Sequence, residues 1–422
     1  GGDGGDLTLQ AGRSVLVNAN ITTDNGDLSL IANDNTNNAD GSNGVVDAQR
    51  DSGAAVITLA SGTTMNTGTG AFTSEIKPGT GKTNRTSGDI TLSNITAGSL
   101  VATNSGGTYG KVSRDIVDNG VLTISGTSSF TTSVTNADIA IDSTTNALTG
   151  AVSLNTTGLT GHATLDNGTT ALNMAASNVG GSLTVTSGAA AGITDSGTVT
   201  VGGNLAATTD ANNGVINLGT LAVDGTVALT TNGSGNATVV NDAGLELATS
   251  TVGGNLSATA TTGNITDSAP LSIGGTSSLT TIAKNADIII NNTTKSFIGA
   301  VSLNTTGRTG HATLDNGTSA LNIGTSSVGG NMTLTSGNKL GIWDSGKVTV
   351  GGNLSVKTDA NSGMINLNTL AVDGNVRLTT HGRGHATILN DRNLKLTRGS
   401  FIGGNLRANA KVGKVTTLGK VT

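Results

Sequence analysis

The chain contains no cysteine, so neither a disulfide framework nor a thiolate metal site is open to it. Aromatic residues make up 1% of its 422 positions (Phe 4, Tyr 1, Trp 1), a shortage that excludes a thick globular core built on rings. Only Pro78 and Pro270 interrupt backbone donation, so strand can follow strand almost unbroken. No apolar stretch approaches the ~20 residues a helix needs to span a bilayer. Glutamate is confined to Glu75 and Glu246. A sugar-cleaving site, which needs paired carboxylates and usually aromatic platforms, therefore has little material, and the chain is read as no enzyme. The start at Gly1-Gly2-Asp3 has neither Met nor signal peptide, as expected of a mature or excised segment of something longer.

What the chain does hold is glycine, 64 residues of it, in a background of Thr, Ser, Asn and Ala. Short runs such as Val199-Thr200-Val201 and Ile288-Ile289-Ile290 separate this composition from disorder and read as strands. Self-comparison then decides the architecture. Gly150-Ala-Val-Ser-Leu-Asn-Thr-Thr-Gly158 recurs at Gly299 to Gly307, and Gly161-His-Ala-Thr-Leu-Asp-Asn-Gly168 at Gly310 to Gly317, both at an offset of 149. Beneath this duplication runs a Gly-Gly or Asp-Gly turn followed by an alternating strand. The first apolar residues are Phe130, Val152, Leu183, Leu205, Val227, Leu256 and Leu279, spaced 22, 31, 22, 22, 29 and 23. A recurring 22 points to coils of fixed circumference, the longer gaps reading as looped-out corners, and the Gly, Asn and Asp of the turns as residues that tolerate positive φ. The fold expected is all-β, a parallel β-helix (β-solenoid) of about 22-residue rungs forming an elongated rod. Residues 1–120 are its irregular N-terminal rungs, 121–269 a first module and 270–422 a second, in one continuous solenoid.

Few residues offer chemistry. Gly1 to Leu9 fits a calcium-binding nonapeptide with Asp3 and Asp6 as ligands, but it stands alone, and an ordinary Gly/Asp turn is the simpler reading. No cofactor is expected. His162, His311 and His385 share one corner position, Gly-His-Ala-Thr, whose fourth copy carries Asn236; with His381 they read as surface turn residues and not as a metal site. Asp195, Asp267 and Asp344 recur in one turn and read as capping carboxylates. Trp343 replaces Thr194 there, as an exposed contact or a local packing change. Threonines such as Thr184, Thr186, Thr198 and Thr200 are spaced too irregularly for an ice-binding face. Asn155, Asn304, Asn167 and Asn316 head Asn-x-Thr/Ser triplets of the kind that accept glycans, but in a chain this rich in Asn and Thr most such triplets arise by chance. Charge is uneven: residues 1–51 hold eight Asp against Arg13 and Arg50, and residues 331–422 hold twelve Lys/Arg against four Asp. That asymmetry would favour head-to-tail self-association or a basic tip for anionic glycans or envelope; the plainer reading is that charge varies between segments of a longer protein. Without stacking aromatics, nucleic acid is not an expected partner.

The units Gly202-Gly203-Asn204-Leu205, Gly253-Gly254-Asn255-Leu256, Gly351-Gly352-Asn353-Leu354 and Gly403-Gly404-Asn405-Leu406, with Gly5-Asp6-Leu7 and Gly26-Asp27-Leu28, resemble the rod region of filamentous haemagglutinin-like adhesins, two-partner-secretion exoproteins. The resemblance runs along essentially the whole chain. It implies a right-handed β-helix exported through an outer-membrane partner to the surface of a Gram-negative bacterium or secreted from it. Attachment to a host or neighbouring cell, through glycans or other surface proteins, or service as a stalk would follow. The family's secretion domain carries Asn-Pro-Asn motifs; this chain has no Asn-Pro, so the resemblance is to rod and not to secretion signal. A self-assembling extracellular filament subunit is the alternative, and a carbohydrate-active β-helix enzyme the third.

Overall fold

The computed structural model describes residues 4–34, 51–78, 87–106, 114–292 and 294–422. Among these residues every regular element is a strand, and the chain winds as a parallel β-solenoid of about 17 turns, with rungs about 22 residues apart. Two compact units are distinguished, Gly1–Gly214 with Ala222–Gly225, and Val215–Leu221 with Thr226–Thr422. The boundary of the sequence duplication, at 269/270, falls inside the second.

In the first unit one face is a ladder running Leu7–Gln10, Leu28–Ala32, Ala71–Ile76, Ser99–Asn104, Ser128–Thr135 and Ala151–Thr157, each paired in parallel with the next. A second face runs from Val15–Val17 through Ala163–Asp166 and Leu183–Ser187 to Leu205–Asn212. A third, of shorter strands, runs from Ile21–Thr22 to Ala147–Leu148. The second unit repeats these pairings: Ser128 opposite Val152 becomes Ser277 opposite Val301, and Phe130 opposite Leu154 becomes Leu279 opposite Leu303.

Side chains alternate inward and outward, as strand geometry requires, and like positions stack from coil to coil. One interior column reads Leu28, Phe72, Leu100, Ser128, Val152; its neighbour reads Leu30, Ser74, Ala102, Phe130, Leu154. Each ring has a serine two residues away on its own strand, Ser74 for Phe72 and Ser128 for Phe130. In these two coils the enclosed section holds one ring beside a small partner, in keeping with the scarcity of aromatics. Phe72, Phe130 and Phe297 are fully buried, whereas Phe401 is exposed.

The longer spacings in the turn-strand motif are not looped-out insertions. Val152 lies opposite Met174, 22 positions on, and Ala163 opposite Leu183, 20 on, so this coil keeps its ordinary length. The gap of 31 between Val152 and Leu183 arises because the motif moves from one face to another. Val301 and Met332 repeat the same shift in the second unit.

The reason for glycine at the recurring corners also differs from expectation. None of Gly202, Gly203, Gly253, Gly254, Gly351, Gly352, Gly403 and Gly404 has a positive φ, nor do Asn204, Asn255, Asn353 and Asn405. Glycine is needed there because successive corners stack backbone on backbone. A Cβ at Gly202 would overlap the carbonyl oxygen of Gly180, and one at Gly253 that of Gly233. Positive φ sits at other corners, at Gly158, Gly307, Asn136 and Asn285.

Candidate functional site

Stacked corners leave backbone donors that the strands do not use, and most of the polar side chains singled out above satisfy them. The Gly-Gly corner carries a backbone ladder of its own: Gly203 N donates to Gly181 O at 2.8 Å, Gly352 to Gly330 at 2.8 Å and Gly374 to Gly352 at 3.0 Å. Beside it runs a ladder of side chains, each accepting from the main-chain N–H one coil on. In the first unit Asp89 accepts from Asp115, Asp115 from Asp138 and Asp138 from His162, at 3.0, 2.8 and 2.7 Å. His162 Nδ1 then accepts from Ser182 and Ser182 Oγ from Asn204, at 2.9 and 3.1 Å. The second unit repeats the pattern through Asn264, Asp287, His311, Asn331 and Asn353 to Asn375, at 2.7–2.8 Å.

The corner histidines are therefore acceptors in a ladder. Asp Oδ1, Asn Oδ1 and His Nδ1 stand the same number of bonds from the backbone, which is why Asn236 serves at the same position, receiving Asn255 N at 2.7 Å. His385 Nδ1 receives Asn405 N at 2.8 Å. His381 differs, its Nδ1 lying 2.8 Å from Thr358 O. Replacing His162 by Asn should leave stability within about 0.5 kcal/mol, whereas His162→Leu, which removes the acceptor, should cost about 1 kcal/mol. Urea denaturation of the two variants checks this, and equal losses would contradict it.

Asp6 belongs to the same scheme, its Oδ1 accepting from Asp27 N at 2.9 Å; Asp3 lies outside the described residues. Among the described residues no group of three or more His, Asp and Glu is close enough to hold a metal ion. Asp267 and Asp344 are parts of the scaffold but accept from the following coil and not within their own turn, Asp267 Oδ1 receiving Asn291 N at 3.0 Å. Asp344 accepts from Asn368 N and from both the N–H and hydroxyl of Thr369, at 2.7–2.9 Å. Two of the Asn-x-Thr triplets, at Asn167 and Asn316, are closed to glycans. Both are fully buried, and each secures a neighbouring coil: Asn167 Oδ1 accepts from Leu148 N at 2.8 Å while its Nδ2 donates to Leu148 O and Ala171 O.

One buried group escaped the sequence reading. Lys295 Nζ lies 2.7 Å from Asp267 Oδ2, with both side chains 0% exposed, and also donates to Asn292 O. At the matching place in the first copy Asn146 Nδ2 donates to Asp118 Oδ2, also at 2.7 Å. Loss of hydration pushes the Lys295 pKa down from its usual 10.5, against the pull of Asp267, and pushes Asp118 up from 3.8. The signal was present as a common separation, Asp118 to Asn146 and Asp267 to Lys295, 28 residues in each copy.

The second unit also carries an open groove of about 500 Å³ lined by Leu340, Trp343, Met364, Ile365, Asn366, His385 and Thr387. Trp343 lies on the outward side of strand Ile342–Asp344, in register with Asn322 before it and Asn366 after it. Leu340 is 64% exposed and Met364 43%. In the first copy the same seven positions are Ala191, Thr194, Val215, Ile216, Asn217, Asn236 and Thr238. Three are identical; the other four are larger in the second copy.

Stacked parallel coils stitched at their corners by glycine, Asn, Asp and His define a repeat β-solenoid. The chain belongs to the family of repeats of unknown function DUF5649, which matches residues 80–155, 160–218, 234–304 and 309–380. Two of these segments begin 149 residues apart, the period of the duplication. No curated protein and no solved structure matches the chain.

Proposed function

We propose that this chain is a structural and adhesive segment of a large secreted protein on the surface of a Gram-negative bacterium, displaying its outward strand faces to other cells. The observation that supports this most is the corner ladder. Side chains that could have served chemistry, the histidines and turn carboxylates, are spent on holding coil to coil, which favours a scaffold over a catalyst. The sequence resemblance to filamentous haemagglutinin-like rods points the same way, and implies export by an outer-membrane partner. No resident cofactor enters this reading.

The test is protease shaving of intact producing cells, followed by adhesion of beads coated with the purified chain to cultured host cells. Release of the chain from intact cells and saturable bead adhesion are expected; a chain protected until lysis overturns the reading. Self-association is the second reading, favoured by the acidic 1–51 and basic 331–422 segments. It predicts oligomers that dissociate as salt is raised.

A further inference from the structure

We propose that the groove around Trp343 binds an N-acetylated sugar residue of a glycan, an inference that rests on the adhesive reading and names its ligand class. The internal duplication supplies the comparison. Ile365, Asn366 and Thr387 match Ile216, Asn217 and Thr238, so the same coil geometry underlies both places. The two places differ in four larger side chains: Leu340 for Ala191, Trp343 for Thr194, Met364 for Val215 and His385 for Asn236. Neither the corner ladder nor the core asks for these enlargements. Asn236 already performs the ladder bond that His385 makes, and Leu340 and Met364 are exposed, where added apolar surface contributes little to folding.

The chemistry of the lining selects the ligand. A partly exposed indole ring on the outward side of a strand offers an apolar surface with negative charge density to the C–H side of a pyranose. Asn366 and Thr387, on successive strands in register, present an amide and a hydroxyl to sugar hydroxyls. Because His385 Nδ1 accepts from Asn405, the ring proton is on Nε2, leaving His385 as a donor. Leu340 and Met364 would meet an apolar group, and the methyl of an acetamido substituent supplies one beside polar atoms. None of the lining residues carries a carboxylate, ammonium or guanidinium group, so a neutral sugar is favoured over a sulfated or uronic one. The volume lies within the roughly 300–1,000 Å³ usual for small-ligand sites.

Trp343 is the sole tryptophan of the chain, so its emission reports on this groove alone. Titrating the full chain with tri-N-acetylchitotriose should shift or quench that emission saturably, with cellotriose giving a response at least about tenfold weaker. Leu340→Ala and Met364→Val, which install small side chains and keep the reporter, should each weaken binding several-fold with unchanged thermal melting. Saturation-transfer NMR of Trp343→Thr, the residue of the first copy, should show no contact with the acetyl methyl.

No emission change at millimolar chitotriose, or an equal response to cellotriose, overturns the proposal. So does an emission change that follows protein concentration without sugar, which would mean a second copy occupies the groove. Two sources share this chemistry and are separated by competing the sugar against hexosaminidase-treated host cells and against purified peptidoglycan. If beads adhere while the titration fails, adhesion uses another surface and only this proposal falls; binding of the sugar by a chain never exposed on cells leaves the site and removes the surface role.

Discussion

Replacing Lys295 by alanine should destabilise the second unit by about 3–5 kcal/mol, because it leaves the buried Asp267 carboxylate without its partner. Lys295→Asn should cost no more than about 1 kcal/mol, since it recreates the pair made by Asn146 and Asp118, in which an amide donates to the carboxylate. The comparison isolates the buried charge from the loss of packing. Equal losses in the two variants, measured by urea denaturation, would show that packing alone matters there.

The pair also predicts a pH dependence. Burial lowers the Lys295 pKa from 10.5, so between the depressed value and 10.5 the unfolded chain binds more protons than the folded one. Stability contributed by this site therefore rises as pH climbs through that window. The stability difference between the native chain and Lys295→Asn should move in favour of the native chain as pH rises toward 10.5. Asp118 behaves oppositely on the acid side. Its raised pKa gives the folded state the extra proton, so its contribution is largest below 3.8 and is lost as pH rises through the folded value.

Phe130→Ala should cost about 3–5 kcal/mol, the range for emptying a ring-sized space in a packed interior. Collapse is resisted because the coil carries serine, Ser128, at the adjoining inward position, and the strands on either side are fixed by parallel hydrogen bonds. In a solenoid each coil contacts mainly its neighbours, so the damage should be local. Hydrogen exchange should accelerate in Ser99–Asn104, Ser128–Thr135 and Ala151–Thr157, while Met332–Ser336 and Leu354–Asn361 keep their protection. A uniform loss over the whole chain would mean that the coils unfold as one cooperative body.

Much of this architecture was legible in the amino-acid order. A coil closes after a fixed path length, so a 22-residue period, inward-outward alternation and shortage of rings had to appear in the sequence. The duplication at 149 showed equally plainly, since copies of a scaffold keep their glycines wherever backbones meet. Those glycines were found for a reason that proved different: the corners at Gly202, Gly253, Gly351 and Gly403 need close approach and not left-handed backbone.

Tertiary structure alone decided which face each strand occupies, and so turned the spacing of 31 from an inserted loop into a change of face. It alone separated inward from outward asparagine, sending Asn167 and Asn316 into the interior as supports for the preceding coil. Leu340 and Trp343 share one coil, Met364 and His385 follow at roughly one period each, and the three coils bring them together only because parallel stacking places them side by side. The sequence by itself determined the coil, because its period is written in consecutive residues; the groove and the buried Lys295–Asp267 pair depend on neighbours across coils, which only the stacking register brings together.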